Sequence, residues 1–273
     1  MNIDRNAPVG VFDSGIGGLT VAREIMRNLP SEKIVYFGDT ARVPYGSKSK
    51  DTVLRYSRQI VHFLKNQGVK AIVVACNTAS ALALGDIKKE LDIPIIGVID
   101  AGAKVAAAET KNKKIGVIGT VATIDSGIHE RVLKELCPQV QVIGKACPLF
   151  CPLVEEGWLH DDVTTKVAER YLEELKVCGI DTLILGCTHY PLIRSTIREV
   201  MGENVRLVNP AYETALELRD LLSELDLTGQ ENAQEEFPYR FYVSDLAEKF
   251  TDFANSILPY DVSMTQKIDI EKY

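Results

Sequence analysis

Two of the six cysteines stand in matching contexts, beside groups that can move protons or bind an anion. Cys76 lies in AIVVACNTAS (71–80) and Cys187 in TLILGCTHYP (182–191). Each follows a short apolar run and precedes hydroxyl, amide or imidazole side chains. A thiol in such a place can act as a nucleophile, a base or a metal ligand, whereas an isolated cysteine more often packs as a small apolar side chain. Two cysteines in equivalent places favour chemistry over packing.

A glycine-rich turn near the start of the chain could reach the same site. Asp13 and Ser14 open the segment DSGIGG, directly after an apolar run. The segment is not a dinucleotide fingerprint, because Thr20 stands where the third glycine is required. In a parallel sheet, strands end at one common edge, where ligands bind. We therefore expect Asp13 and Ser14 on the same face as Cys76.

A long polar loop, GDTARVPYGSKS (38–49), follows another apolar run. Loops of this kind carry binding residues more often than packing residues. Tyr45 could supply a hydroxyl group to a ligand, and Gly46 a backbone N–H.

The remaining cysteines and histidines carry weaker signals. Cys147 and Cys151, with His160 nearby, give thin support for zinc, which needs four ligands, or three and a water; we predict no metal site. Cys137 and Cys178 are expected to pack on helical segments. We predict that His62 and His129 are ordinary helical histidines. The pair Glu155–Glu156 is expected to be solvated, and a carboxylate at the mouth of a site stays an alternative.

Apolar, β-branched runs alternate with helical patterns along the whole chain, as in the amphipathic segment 51–67. Strands that are apolar throughout suit a parallel sheet covered on both faces, which predicts an α/β fold. The predicted strands are Val9–Phe12, Lys33–Phe37, Ala71–Ala75, Ile95–Val98, Ile115–Ile118, Gln141–Ile143, Thr182–Leu185, Arg206–Val208 and Arg240–Val243.

A weak internal repeat divides the chain. Residues 9–15 resemble residues 115–120, and the two cysteine segments repeat at a similar separation. We predict two related α/β domains, the first formed by 1–99 together with 210–273, and the second by 100–209.

Composition excludes several classes of protein. The 273 residues are 46% hydrophobic, and 31 basic against 38 acidic residues give a net charge of −7. This mix is that of a folded globular protein, and no basic run offers a track for nucleic acid. The opening residues lack an apolar signal core, and the apolar stretch Ala71–Leu84 is too short to span a bilayer. We expect a soluble, cytoplasmic protein with reduced thiols.

Four motifs, FDSGIGGLTV, FGDTARVPYG, ACNTAS and GCTHYP, resemble in order and spacing those of glutamate racemases, within the cofactor-independent two-cysteine aspartate/glutamate racemase family. The resemblance implies two similar doubly wound parallel-sheet domains related by a pseudo-twofold axis. It places the active site in the cleft between the two domains and implies a homodimer. It also implies a reaction that needs no pyridoxal phosphate or metal. Cys76 and Cys187 would be the acid/base pair. The implied glutamate-binding residues are Asp13, Ser14, Tyr45, Gly46, Asn77, Thr78, Thr188 and His189, with Thr120 and Thr123 as additions.

The implied reaction interconverts L- and D-glutamate and supplies D-glutamate for bacterial cell-wall peptidoglycan. Cys76 would take the proton from D-glutamate and Cys187 from L-glutamate, because one base cannot easily reach both faces of the α-carbon. Asp13 beside Cys76 and His189 beside Cys187 would manage these protons.

Three alternatives remain open at this stage. A related enzyme, such as an aspartate or hydantoin racemase or a decarboxylase of the same superfamily, would differ in the contacts of the substrate side chain. An amino-acid-binding module without catalysis would not need matched thiols. A thiol–disulfide enzyme would usually show Cys-x-x-Cys, which the sequence lacks.

Overall fold

The computed structural model describes residues 3–230 and 238–273. The described chain forms two parallel sheets from ten strands. The strands are β1 (Val9–Asp13), β2 (Ile34–Gly38), β3 (Ala71–Val74), β4 (Ile95–Gly97), β5 (Lys114–Gly119), β6 (Gln141–Ala146), β7 (Thr182–Gly186), β8 (Arg206–Val208), β9 (Tyr239–Val243) and β10 (Thr265–Lys267).

Both sheets are built to the same plan. One has the strand order β10-β9-β2-β1-β3-β4 and the other β6-β5-β7-β8, and every strand pair is parallel. The order β2-β1-β3-β4 in the first sheet therefore repeats as β6-β5-β7-β8 in the second. The predicted α/β fold with two parallel sheets is confirmed, and each of the nine predicted strands overlaps an observed one. The tenth strand, β10, was not predicted.

Twelve α-helices connect the strands within the described residues. They are α1 (Leu19–Asn28), α2 (Lys50–Asn66), α3 (Asn77–Leu82), α4 (Leu84–Glu90), α5 (Val98–Glu109), α6 (Val121–Asp125), α7 (Ile128–Leu136), α8 (Phe150–Glu155), α9 (Asp162–Val177), α10 (Arg194–Met201), α11 (Pro210–Glu224) and α12 (Ala247–Ile257).

Alternating side chains of the strands enter different cores, so both faces of each sheet are covered. In β1, Val9 and Val11 pack against α1, α11 and α12, whereas Phe12 packs on the opposite face against α2 and α3. The second sheet has α8, α9 and α10 on one face and α5 and α7 on the other. This two-sided burial is why the strands are apolar throughout.

The strands divide between the sheets in the way the internal repeat suggests. The domain boundaries at 99/100 and 209/210 stay a prediction; the first falls inside α5 and the second at the start of α11. The predicted first domain also includes residues 1–2 and 231–237, which lie outside the described residues. Across the described part of the chain, no helix combines the length and apolarity needed to cross a membrane.

Candidate active site

The two matched cysteines occupy equivalent positions in the two sheets. Cys76 follows β3 and Cys187 follows β7, and these strands hold the same place in the repeated order. Both residues are buried, with 5% and 7% of their surface exposed. The charge of Cys187 is one of the smaller causes that raise the pKa of Cys76, so the two thiols lie near enough to interact. The fold therefore brings both thiols to one shared site.

Cys76 caps the short helix α3, and its sulfur contacts Ser14, in the turn after β1, and the first turn of α3. The thiol donates to Ser14 Oγ at 3.5 Å, and the sulfur accepts from the backbone N–H of Ala79 at 3.5 Å. Burial, together with the nearby carboxylate of Asp13, raises the pKa of Cys76 to about 12. This thiol is therefore protonated at neutral pH.

Asp13 ends β1 beside Cys76 and is completely buried. Its Oδ2 accepts from the Gly15 N–H at 3.0 Å. Its Oδ1 has no hydrogen-bond partner among the described residues. Burial raises the pKa of Asp13, and the attraction of His189 opposes that rise. A buried carboxylate oxygen without a partner is costly unless a ligand or proton satisfies it.

The surroundings of Cys187 are different. Its Sγ lies 3.5 Å from Cys151 Sγ and 3.7 Å from His189 Nδ1. The contact with Cys151, followed by burial, raises the pKa of Cys187 well above its usual value, and His189 opposes the rise. Sequence reasoning did not foresee the contact with Cys151.

His189 is held between a thiol and a carboxylate. Its Nε2 lies 2.9 Å from Glu155 Oε1, and its Nδ1 faces Cys187. Burial lowers the pKa of His189, but the bonds to Cys187 and Glu155 outweigh it and raise the pKa to about 10. At Glu155, burial raises the pKa of the carboxyl group, but the hydrogen bond and charge of His189 outweigh burial and lower that pKa. The geometry is that of an oriented imidazolium whose ring direction Glu155 fixes.

The thiol pKa values are set by burial and contacts rather than by helix ends. The positive end of a helix lowers the pKa of a nearby thiol, because it stabilises the thiolate. Burial is the largest cause of the raised pKa at Cys76, and the contact with Cys151 is the largest cause at Cys187. In addition, Cys187 precedes a 3₁₀ turn, Tyr190–Ile193, and the α-helix begins only at Arg194.

The glycine-rich turn lets the first half approach the second closely. A methyl group on Gly17 would lie 2.5 Å from His189 Nδ1, and it would also collide with Thr188 Oγ1. The hydroxyl of Thr20 donates to the Thr188 carbonyl at 3.0 Å. A methyl group on Gly18 would collide with Asp13. The glycines of DSGIGG therefore allow close contact across the site rather than phosphate binding.

Three threonine hydroxyls meet where the two halves face each other. Thr78 lies 3.0 Å from Thr120 and 3.1 Å from Thr123, and the latter two are 2.9 Å apart, all between hydroxyl oxygens. A methyl group on Gly46 would lie 2.6 Å from Thr120 Cβ. The structure thus brings Gly46, Thr78, Thr120 and Thr123 together.

Two other predicted site residues have contrasting partners. Asn77 is buried beside Cys76, and its Oδ1 has no partner within the described part of the chain. Tyr45 is buried too, but its hydroxyl donates to Asp39. Their roles toward a ligand stay predictions.

The cysteines and histidines with weaker sequence signals have different surroundings. Cys147 is buried and its thiol donates to the Lys145 carbonyl at 3.6 Å. His160 lies against Ser195 rather than beside the cysteines. Cys137 and Cys178 are partly exposed and stand immediately after α7 and α9, not within them. His62 is exposed, and His129 is buried.

Sequence reasoning missed Glu155 as a partner of His189 and Cys151 as a partner of Cys187. Both lie on α8, four residues apart, and such residues share one face of a helix. That spacing was readable in the sequence, but nothing local indicated that this face meets the residues after β7.

Comparison with known proteins agrees with this geometry. The family model for Asp/Glu/hydantoin racemases matches residues 17–218. A glutamate racemase of Geobacter metallireducens is 46% identical over 263 residues, covering 96% of this chain and 97% of the relative.

Two solved structures are similar over nearly their whole length. A glutamate racemase isoform from Bacillus anthracis has a TM-score of 0.91 at 41% identity, covering 97% of this chain and 98% of that one. The glutamate racemase of Francisella tularensis in complex with D-glutamate has a TM-score of 0.91 at 38% identity, covering 98% and 100%. Motifs, paired thiols and full-length similarity lead to one conclusion: the chain belongs to the Asp/Glu/hydantoin racemase family.

Proposed function

We propose that this chain interconverts L- and D-glutamate by passing the α-proton between two thiols. The observation that carries the proposal is the equivalent placement of Cys76 and Cys187 after β3 and β7, in two sheets of the same strand order. Two opposed thiols can remove a proton from one face of the α-carbon and return one to the other. The relatives named glutamate racemase support glutamate as the substrate.

Each thiol has its own proton-handling neighbour. Both thiols are protonated at neutral pH, so one of them must lose its proton before it can act as a base. At Cys187 the positively charged His189, oriented by Glu155, stabilises the thiolate. At Cys76 the buried Asp13, whose pKa is raised, can accept and return a proton. The assignment of these roles is part of the proposal.

The polar groups without partners suggest how glutamate is held. The oxygens Asp13 Oδ1 and Asn77 Oδ1 are buried acceptors that lack partners among the described residues, and they suit the α-ammonium group. The hydroxyls of Thr78, Thr120 and Thr123 can donate to a carboxylate. Donors that strengthen their bonds as charge develops on the substrate would stabilise the carbanion.

The direct test follows the circular dichroism of pure L-glutamate and of pure D-glutamate after addition of purified protein. We expect both samples to reach the same racemic end point, also after dialysis against a chelator and a carbonyl reagent. Aspartate and a hydantoin, run in parallel, should not react at a comparable rate. Preferential racemisation of either would replace glutamate as the substrate, and an unchanged signal with all of them would overturn the proposal.

The biological setting follows from the reaction. We propose that the D-glutamate serves peptidoglycan synthesis in the cytoplasm and that the enzyme works as a homodimer. Growth of a bacterial strain that requires D-glutamate, after expression of this chain, tests the first part. Light scattering of the purified protein tests the second, and a monomer mass at working concentrations would contradict it.

A further inference from the structure

A third thiol lies against the site, and the two-thiol reaction has no use for it. Cys151 and Glu155 lie one turn apart on α8, and they contact the segment from Cys187 to His189. Cys151 Sγ is 3.5 Å from Cys187 Sγ, and Glu155 Oε1 is 2.9 Å from His189 Nε2. One helix face thus adds a sulfur donor and a carboxylate to the thiol–imidazole pair.

The three donor atoms are spaced as ligands of one metal ion. The two sulfurs and one ring nitrogen of Cys151, Cys187 and His189 all lie within 4.8 Å of one another. Tetrahedral zinc, with bonds of about 2.3 Å to sulfur and about 2.0 Å to nitrogen, places sulfurs about 3.8 Å apart and sulfur and nitrogen about 3.5 Å apart. The observed separations of 3.5 Å between the sulfurs and 3.7 Å from Cys187 Sγ to the ring nitrogen match this spacing.

The surrounding groups favour zinc over harder cations. Two thiolates and an imidazole suit Zn²⁺, whereas Mg²⁺ and Ca²⁺ require oxygen ligands. Glu155 on the far nitrogen of His189 is the carboxylate–histidine arrangement that orients metal-bound imidazoles. Three protein ligands leave a fourth position for water.

We propose that Cys151, Cys187 and His189 form an inhibitory Zn²⁺ site, with both sulfurs and Nδ1 of His189 as ligands. Coordination forms two metal–sulfur bonds and one metal–nitrogen bond, and the displaced protons pass to solvent. A sulfur bound to zinc cannot serve as a base, so racemisation stops. This consequence rests on the proposed function, whereas metal binding does not.

Metal binding is measured directly, by competition between the reduced protein and a chromophoric chelator for Zn²⁺ alone. We expect one Zn²⁺ per chain, and at least about tenfold weaker binding in Cys151→Ser, since loss of an outer partner alone costs about 10–100-fold. The matched control is Cys178→Ser, which removes a thiol outside the cluster and should bind like wild type. Substitution of Co²⁺ should give sulfur-to-metal charge-transfer absorption that weakens in Cys151→Ser. Equal Zn²⁺ affinity in wild type and Cys151→Ser would overturn the site.

Two further measurements complete the test. If circular dichroism shows that Cys151→Ser is misfolded, Glu155→Gln replaces it and should bind Zn²⁺ about 10–100-fold more weakly. The Zn²⁺ concentration that halves the racemisation rate should rise in Cys151→Ser by the same factor as the dissociation constant. Tight binding without inhibition would overturn the inhibitory role. Zn²⁺ binding by a chain that does not racemise glutamate would instead overturn the proposed function and leave the site standing.

Discussion

The substitution Gly17→Ala tests whether the glycine-rich turn positions His189. The added methyl group would lie 2.5 Å from His189 Nδ1 and 2.6 Å from Cε1. Because non-bonded carbon atoms settle at about 3.5–4.0 Å, the ring must move by about 1 Å. A ring displaced that far cannot keep both its 3.7 Å contact with Cys187 and its 2.9 Å bond to Glu155.

The expected effect falls on the rate more than on stability. A displacement of about 1 Å in a catalytic group costs about 100-fold in rate, so kcat/KM for either enantiomer should fall by about that factor. Overpacking of this kind costs about 1–3 kcal/mol of the free energy of unfolding, so the variant should remain folded. Initial rates followed by circular dichroism, together with thermal unfolding, measure the two effects separately.

The matched control is Gly85→Ala in the first turn of α4. No atom lies within 4 Å of a methyl group built at Gly85. This variant should keep the wild-type rate and gain about 0.4–1 kcal/mol in the free energy of unfolding, because alanine restricts the unfolded chain more than glycine does. Wild-type rates in Gly17→Ala would refute the reasoning that this turn holds His189 in its working position.

Three further predictions concern ionisable groups. Glu155→Gln removes a partly exposed ion-pair partner of His189. The pKa of His189 should therefore fall from about 10 to about 9, as measured by NMR titration of its ring signals. Lys70→Met leaves the buried Glu32 carboxylate without its cation, which should cost about 3–5 kcal/mol and lower Tm by on the order of 10 °C with kcat unchanged. Burial lowers the pKa of His129 from 6.5 to about 4, so only the unfolded chain binds this proton between those values. The stability that neutral His129 provides is therefore complete above pH 6.5 and lost as the pH falls to about 4, on the order of 3 kcal/mol in all. Urea unfolding from pH 4 to pH 7 should show this slope in wild type and not in His129→Leu.

The sequence predicted nine of the ten described strands, including the edge strands β4, β6 and β8, and it missed only the edge strand β10. Interior strands are buried on both faces and read as apolar runs. β10 (Thr265–Lys267) pairs only with β9, and its three residues are polar and largely exposed, so no pattern marks it. Its place is set by the neighbouring strand and by α12, which no local sequence signal records.

In the site, too, local sequence patterns were predictive and contacts that depend on packing were not. The repeat placed Cys76 and Cys187 at equivalent strand ends, because a duplicated strand order carries its turns with it. The contacts of Cys151 and Glu155 depend on how α8 packs, and sequence spacing alone does not determine that. The direction of the thiol pKa changes was also out of reach, because it depends on burial at Cys76 and on the contact with Cys151 at Cys187.

The central claim is that each thiol serves one face of the substrate, and solvent exchange at the α-carbon tests it most directly. Cys76→Ser and Cys187→Ser are each incubated in deuterium oxide with pure L-glutamate and with pure D-glutamate, and α-hydrogen exchange is followed by NMR. Racemisation should collapse in both variants, because each turnover uses both thiols. Cys76→Ser should retain exchange of L-glutamate only, through Cys187, and Cys187→Ser of D-glutamate only, through Cys76. Equal exchange of both enantiomers by either variant would show that one group serves both faces and would contradict the two-thiol mechanism.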